Sequence, residues 1–193
     1  MATYRQTYNP ATGEWIQFEK TGLETDGELV RYRWKQDPGG HIVEHFHPYS
    51  SERFILESGK GEFTVDGEMK QYGAGDTVDI PAPHLHEIRN PGPEPMVGWV
   101  ELSPARMTAE LHDTLAGLST EGMTDDTGKP KNPLQMGSTF WYFRNDIRAT
   151  SVPVWLQNVM LPPLAGLARL FGIKPTYPRW SSREGDSSQG GDG

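Results

Sequence analysis

The sequence predicts an all-β core, a double-sheet jelly roll or closed barrel, followed by a C-terminal α-helical appendage. Short strand-like segments follow one another from residue 15 to about residue 102, without a helix-length gap between them. After residue 102 the apolar residues recur at helical spacing. We therefore assign residues 1–103 to the barrel, 104–180 to the helical extension and the Ser- and Gly-rich residues 181–193 to a disordered tail.

The strands are recognised by alternation of apolar and polar side chains. Within residues 30–35, Val30, Tyr32 and Trp34 alternate with three cations, which predicts one apolar and one solvated strand face. Further strands are predicted at 41–47, 52–57, 62–65, 68–72, 77–80, 85–89 and 96–102. Asp66-Gly67 separates two of these segments and predicts a tight hairpin.

Two proline positions mark the helices of the appendage. Pro104 follows Ser103 and Pro133 follows Asn132, and a capping residue before proline is typical of a helix start. These signals predict one helix over 105–118 and a second from residue 132 to about residue 148.

A third apolar stretch covers residues 152–173, and we expect Pro162 and Pro163 to break it. Its length approaches that of a membrane span, but Gln157, Asn158 and Arg169 argue against a crossing. We expect an arm that packs on the barrel or on a second subunit, giving a homodimer. Contact of the C-terminal helices with a membrane surface is the lesser alternative.

Composition excludes several classes of function. The formal net charge is -8, from 18 basic and 26 acidic residues, and no run of Lys or Arg interrupts it, so no nucleic-acid partner is expected. The absence of Cys excludes disulfides, thiolate metal sites and cysteine nucleophiles. The N-terminal residues lack the apolar run of a signal peptide, and we expect a cytoplasmic protein.

Five of the six histidines lie between residues 41 and 86. His45 and His47 are two apart on a predicted strand, so both project from the same face about 7 Å apart. Glu52 can return beside them on the next strand, and His86 would come from a third. Three imidazoles and one carboxylate predict a site for a divalent transition metal (Fe, Mn, Ni, Cu, Co or Zn) with open positions for a ligand. Taken singly, His41, His84 and His112 are more typical of ordinary surface residues.

The spacing of these residues resembles the two motifs of the cupin superfamily. The first motif, G(X)5HXH(X)4E(X)6G, is met by Gly39, His45, His47, Glu52 and Gly59. The second, G(X)5PXG(X)2H(X)3N, is met by Gly75, Pro81, His86 and Asn90. Pro83 stands where this motif has its second glycine. The resemblance implies a small β-barrel in which His45, His47, Glu52 and His86 bind a metal. His84, beside Pro83, could then hydrogen-bond a substrate or take part in catalysis.

Strand parity places aromatic side chains on the faces that carry the predicted ligands. Phe54 shares the face of Glu52, and Tyr32 and Trp34 form the apolar face of an earlier strand. With Trp99, whose strand is apolar on both faces, they would line a pocket for a small planar or hydrophobic ligand, unless they are ordinary barrel core.

Cupins carry out many reactions, and three functions stay open. The first is a metal-dependent oxidoreductase of dioxygenase type, in which Glu52 could partly dissociate from the metal and act as a base. The second is an isomerase or lyase that uses a redox-silent metal. The third is a non-catalytic sensor of a metal or small ligand. Whether the protein is an enzyme is therefore left open, and the expected partner is a small molecule.

Overall fold

The computed structural model describes residues 3–184, in which two antiparallel β-sheets enclose a common core and three α-helices follow. The strands are β1 (Thr7–Asn9), β2 (Glu14–Lys20), β3 (Val30–Gln36), β4 (His41–Phe46), β5 (Ser51–Ser58), β6 (Lys60–Val65), β7 (Glu68–Gly73), β8 (Thr77–Ile80), β9 (His86–Arg89), β10 (Met96–Ser103) and β11 (Arg148–Ala149). The helices are α1 (Thr108–Thr120), α2 (Pro133–Tyr142) and α3 (Val154–Leu170), and a short 3-10 helix covers Pro178–Trp180.

Strands that are distant in sequence are neighbours in both sheets. The first sheet has the order β1-β2-β3-β10-β5-β8 and the second has the order β11-β4-β9-β6-β7. From β3 to β10, successive strands therefore cross between the sheets, except at the β6–β7 hairpin, as in a jelly roll. This arrangement confirms the predicted all-β core with a helical C-terminal part.

The core lies between the two sheets and follows the predicted alternation. Val30, Tyr32 and Trp34 on β3 are buried, while the cations between them are partly exposed on the outer face. Phe54 from the first sheet meets Phe63 from the second with ring centroids 5.2 Å apart. Burial of each such side chain contributes about 1.5–3 kcal/mol, so this contact helps to hold the sheets together.

The hairpin between β6 and β7 is built as the sequence predicts. Asp66 and Gly67 have φ angles of 48° and 83°, and Val65 pairs directly with Glu68. Positive φ at both central residues is the requirement of the two-residue turn that matches strand twist.

Helix α1 begins at Thr108, so the predicted start at residue 105 is wrong. Ser103 is the last residue of β10 and pairs with Ser51 instead of capping a helix. The Ala105 N–H donates to the Gly27 carbonyl, which keeps this stretch outside the helix.

Helix α2 begins where the sequence predicts and ends earlier. The Asn132 side chain accepts a hydrogen bond from the Leu134 N–H at 2.8 Å. The helix ends at Tyr142 instead of near residue 148, because the chain turns there and Arg148 and Ala149 form a strand against β4.

Helix α3 continues through Pro162 and Pro163, and the predicted break is wrong. The two prolines have no N–H to donate to the carbonyls of Asn158 and Val159, but both of those residues are exposed, so water can satisfy the freed carbonyls. Within residues 3–184, no helix is both long and apolar enough to cross a membrane.

Residues 181–184 are ordered, so the tail does not begin at Ser181 as predicted. Ser182 is buried, and both its backbone N–H and its hydroxyl donate to Asp113. Arg183 forms a β-bridge with Tyr4, which ties this segment to the N-terminal region. The remainder of the predicted tail, 185–193, lies outside the described residues.

A buried carboxylate in the first sheet was not anticipated from the sequence. Glu14 accepts hydrogen bonds from the Trp34 indole at 3.0 Å and the Thr12 hydroxyl at 2.7 Å. Burial raises the pKa of Glu14 from 4.5 to about 7, although both hydrogen bonds oppose the rise. The negative charge of Glu52 adds to it.

We expect Glu14→Gln to remove a pH dependence of stability. The folded-state pKa lies above the ordinary value, so the folded chain binds this proton more tightly, and stability falls as pH rises from about 4.5 to about 7. Denaturant unfolding at pH 5 and pH 8 measures the free energy of unfolding. Between these two pH values, this free energy should fall by about 2 kcal/mol more in the wild type than in the variant. An equal pH dependence in both proteins would contradict the assignment.

Candidate metal centre

Four predicted ligands converge between the two sheets. His45 lies on β4 and pairs directly with His86, the first residue of β9, while His47 follows the end of β4. Glu52 comes from β5 in the other sheet and pairs with Ile80 on β8. The centre therefore exists only when both sheets are assembled.

The cluster is compact and closed to solvent. One ligand atom from each of the four residues lies within 4.8 Å of the others. The imidazole centroids of His45 and His86 are 4.2 Å apart, and His47 lies 5.1 Å and 5.4 Å from them. The exposed fractions of the four side chains are only 1–7%. Opposite ligands of a first-row ion are about 4 Å apart, so this spacing suits one ion after small side-chain rotations.

Backbone carbonyls fix the orientation of all three imidazoles. Nδ1 of His45 lies 2.9 Å from the Val43 carbonyl, and Nδ1 of His86 lies 3.0 Å from the carbonyl of His84. Nδ1 of His47 lies 2.6 Å from the Asp146 carbonyl. A carbonyl can only accept, so each Nδ1 carries the proton and donates it. Each neutral ring then keeps its Nε2 lone pair free for a cation.

Glu52 faces these nitrogens without the hydrogen bonds that a buried carboxylate needs. Its Oε2 lies 3.0 Å from Nε2 of His86 and 3.6 Å from Nε2 of His47. Oε2 of Glu52 and Nε2 of His86 are both buried without a hydrogen-bond partner. Two acceptors held this close repel each other unless a proton or a metal cation lies between them, and the convergence of four such donor atoms fits a divalent metal.

The electrostatics of the cluster keep Glu52 ionised. Burial alone would raise the pKa of Glu52, but its interaction with the protonated forms of His47 and His86 outweighs burial and holds that pKa well below its ordinary value. Burial and the two neighbouring histidines lower the pKa of His45 well below 6.5. A carboxylate with so low a pKa suits metal ligation better than proton abstraction, and a catalytic role for Glu52 stays a prediction.

The helical extension takes part in building the centre through Asp146. Besides the carbonyl that accepts from His47, the Asp146 carboxylate accepts the Met107 N–H at 2.9 Å and lies 3.6 Å from Arg106. Strand β11 follows at once and pairs Ala149 with His45. No spacing in the sequence signals this contribution, because it depends on a tertiary contact across 99 residues.

A second polar pair joins the barrel to α1. The Tyr32 hydroxyl and Nε2 of His112, on α1, are 3.3 Å apart, and their rings meet edge to face. Burial lowers the pKa of His112 to about 4 and raises that of Tyr32 well above 10. The charge of Glu52 contributes to both pKa values. His112 is therefore not the ordinary surface residue that the sequence suggested.

The residues predicted to line a pocket are not all brought together. The Trp34 and Phe54 rings contact each other at 5.4 Å within the packed core, so they leave no space for a ligand between them. Contrary to the prediction, Trp99 lies on the outer face of the first sheet, where Arg31 and Arg33 stack on it. Trp99 is directed there because the residues beside it in β10 are the inward-facing ones.

His84 also departs from its predicted place. Its exposed imidazole pairs with Asp66 at the β6–β7 turn, outside the four-residue cluster. The backbone carbonyl of His84, not its side chain, serves the centre by orienting His86.

Comparisons with known proteins identify the family to which this fold belongs. The cupin domain family matches residues 32–101. The polyketide synthase protein CurC of Streptomyces cyaneus is 32% identical over 104 residues, which cover 50% of this chain and 68% of CurC. With the two motifs and the jelly roll, these matches show that the chain belongs to the cupin superfamily.

Other relatives match over a shorter part of their length. Quercetin 2,3-dioxygenase of Bacillus subtilis is 32% identical over 65 residues, and the match spans 34% of this chain and only 19% of the dioxygenase. Among solved structures, a predicted oxalate decarboxylase from Thermotoga maritima is 20% identical with a TM-score of 0.48, over 53% of this chain and 92% of the other.

We expect Mn²⁺ to stabilise the metal-free protein through the four clustered residues. At a free metal concentration a hundredfold above the dissociation constant, the gain is about 3 kcal/mol, or roughly 5–10 °C in melting temperature. His86→Ala should abolish the shift, because it removes one of the convergent lone pairs. His84→Ala is the matched control, since its exposed ring lies outside the cluster, and it should keep the shift. A shift retained in the His86 variant would contradict the site.

Proposed function

We propose that this cupin is a metal-dependent enzyme that oxidises a small organic substrate with dioxygen. The observation that carries the proposal is the buried, convergent set of three Nε2 lone pairs and one carboxylate oxygen from His45, His47, His86 and Glu52. A redox-active divalent ion such as iron, manganese, nickel or copper would supply Lewis acidity and electron transfer there.

Each residue of the centre has a separate task in this proposal. The three neutral imidazoles hold the ion without adding charge, and Glu52 contributes one negative charge. A divalent ion with these four ligands keeps a net positive charge, so the centre attracts a substrate oxygen that is anionic or readily deprotonated. The closed surroundings of the cluster limit the access of water.

Tyr32 and His112 provide the polar contacts for the substrate. Their contact brings together a hydroxyl and a neutral imidazole, and the charge of Glu52 acts on the pKa of both groups. These groups can hold a substrate oxygen through hydrogen bonds. In this proposal His112 replaces His84 as the histidine that acts beside the ligands.

The comparisons support this chemistry at the level of class. One relative is named as a quercetin dioxygenase and another as a polyketide synthase protein, and both names concern small organic molecules. The dioxygenase match includes only about a fifth of that protein, so the substrate itself is not carried over.

The test combines metal analysis with oxygen uptake. Protein purified without a His tag should contain close to one transition-metal ion per chain, and His45→Ala with His47→Ala should lose it. Protein loaded in turn with Fe²⁺, Mn²⁺, Ni²⁺ or Cu²⁺ should consume oxygen in step with the loss of a small organic substrate, and quercetin is the first of the probes to be tried. His112→Gln should keep the metal but slow the reaction.

The outcomes separate the metal site from the reaction. Unchanged metal content in the double variant would end the assignment of the ligands. Turnover without oxygen, or with Zn²⁺ alone, would contradict oxidation and leave a Lewis-acid reaction. His84→Ala serves as the control, and its activity should equal that of the wild type.

A further inference from the structure

The outer face of α3 is apolar and exposed. Trp155, Leu170 and the following Phe171 are 68%, 82% and 69% exposed. Val159, Met160 and Leu167 are exposed beside them. Side chains that recur at three- and four-residue spacing share one side of a helix, so these residues form a continuous patch. Contiguous apolar surface of this kind is typical of an interaction site.

The opposite side of α3 is already used in packing. Leu161 and Ala168 are buried there. A Cβ atom added to Gly137 of α2 would lie 2.3 Å from the Leu164 side chain, which shows how closely the two helices approach. The exposed face is therefore not an inner surface of the helix pair, and the only polar side chains among the exposed residues of α3 are Asn158 and Arg169.

A cationic cleft adjoins the apolar face. The cleft has a volume of about 550 Å³ between α2 and α3, and Arg144, Arg169 and Lys174 line it together with Trp141 and Tyr142. Arg144 stacks on the Trp141 ring. None of the three cations forms an ion pair with a carboxylate in the part of the chain from residue 3 to residue 184.

The charge of this region is opposite to that of the whole chain. Residues 147–180 contain four cations and no Asp or Glu, whereas the chain as a whole carries a formal charge of -8. Glu110, on α1, contacts the Tyr142 hydroxyl and does not pair with the cations of the cleft. An occupant that complements this surface must offer apolar material and negative charge side by side.

We propose that α3 binds the surface of an anionic phospholipid membrane. The helix lies in the plane of the bilayer, with the outer face of α3 at the boundary between headgroups and acyl chains. Arg144, Arg169 and Lys174 meet the lipid phosphates, and the acidic barrel faces away from the membrane. A peripheral contact of this kind needs no membrane-spanning helix.

A second copy of the chain complements the surface less well. In a two-fold pairing the same patch lies on both sides of the interface. Each acid-free face would then meet another acid-free face, and the cations at its border would gain no counter-charge. Anionic lipid headgroups provide both the missing charge and the apolar phase.

Co-sedimentation with vesicles tests the proposal. The full chain should bind vesicles that contain phosphatidylcholine and phosphatidylglycerol in a one-to-one mixture. It should bind vesicles of pure phosphatidylcholine much less. Arg169→Gln with Lys174→Gln should weaken binding to the anionic vesicles about tenfold or more. Leu170→Ser with Phe171→Ser should abolish binding to both, and binding by the wild type should fall as salt is added.

Matched controls lie on the barrel. Leu23→Ser removes another apolar side chain that is 71% exposed, and Lys20→Gln with Lys60→Gln removes two exposed cations of β2 and β6. Both variants should bind like the wild type. Melting temperatures of all variants should agree, because every substituted side chain is exposed.

Two results would overturn the proposal. One is the absence of vesicle binding by the wild type. The other is a dimer, detected by light scattering, that Leu170→Ser with Phe171→Ser dissociates while vesicle binding is unaffected. The second result would assign the outer face of α3 to contact between copies.

Discussion

The metal centre depends on three hydrogen bonds from imidazole Nδ1 atoms to backbone carbonyls. These bonds select one tautomer of each ring and point the Nε2 lone pairs toward Glu52. The carbonyls belong to Val43, Asp146 and His84, so the orientation of the ligands is fixed by the course of the backbone. Because the resulting group of acceptors is buried and unfavourable alone, the surrounding fold must hold it in place until a cation compensates it.

The helical extension is part of this constraint. It supplies the carbonyl for His47, a strand that pairs beside His45, and His112 next to Tyr32. The matched cupin region ends at residue 101, before any of these contributions. The predicted boundary between residues 103 and 104 therefore divides the sequence into a strand-rich and a helical part. The metal centre depends on contacts from both parts. The helical extension also contains α3, whose exposed apolar face carries the proposed membrane contact.

Much of the barrel and the four clustered residues could be predicted from local patterns. The alternation of apolar and polar residues in β3 and the turn at Asp66 and Gly67 could be predicted because neighbouring residues determine strand faces and tight turns. His45 and His47 share a strand face for the same reason. Glu52 and His86 were identified as ligands because their spacing from His45 and His47 resembles the cupin motifs.

The errors arise where a local pattern does not determine the structure. Ser103 precedes a proline, as a helix-capping residue often does, but it pairs with Ser51 of β5 as part of a strand. Pro162 and Pro163 remain within α3, where the freed carbonyls are exposed. Trp99 sits in a strand with apolar residues on both faces, so parity could not assign its side. His112 looked ordinary because nothing local shows that α1 packs against Tyr32.

Anomalous diffraction from crystals loaded with Co²⁺ tests the metal assignment most directly. The account predicts one strong peak between the two sheets, bonded to Nε2 of His45, His47 and His86 and to a carboxylate oxygen of Glu52, with all three Nδ1 contacts retained. A peak bonded to other residues, or no peak while the four side chains keep their places, would contradict it.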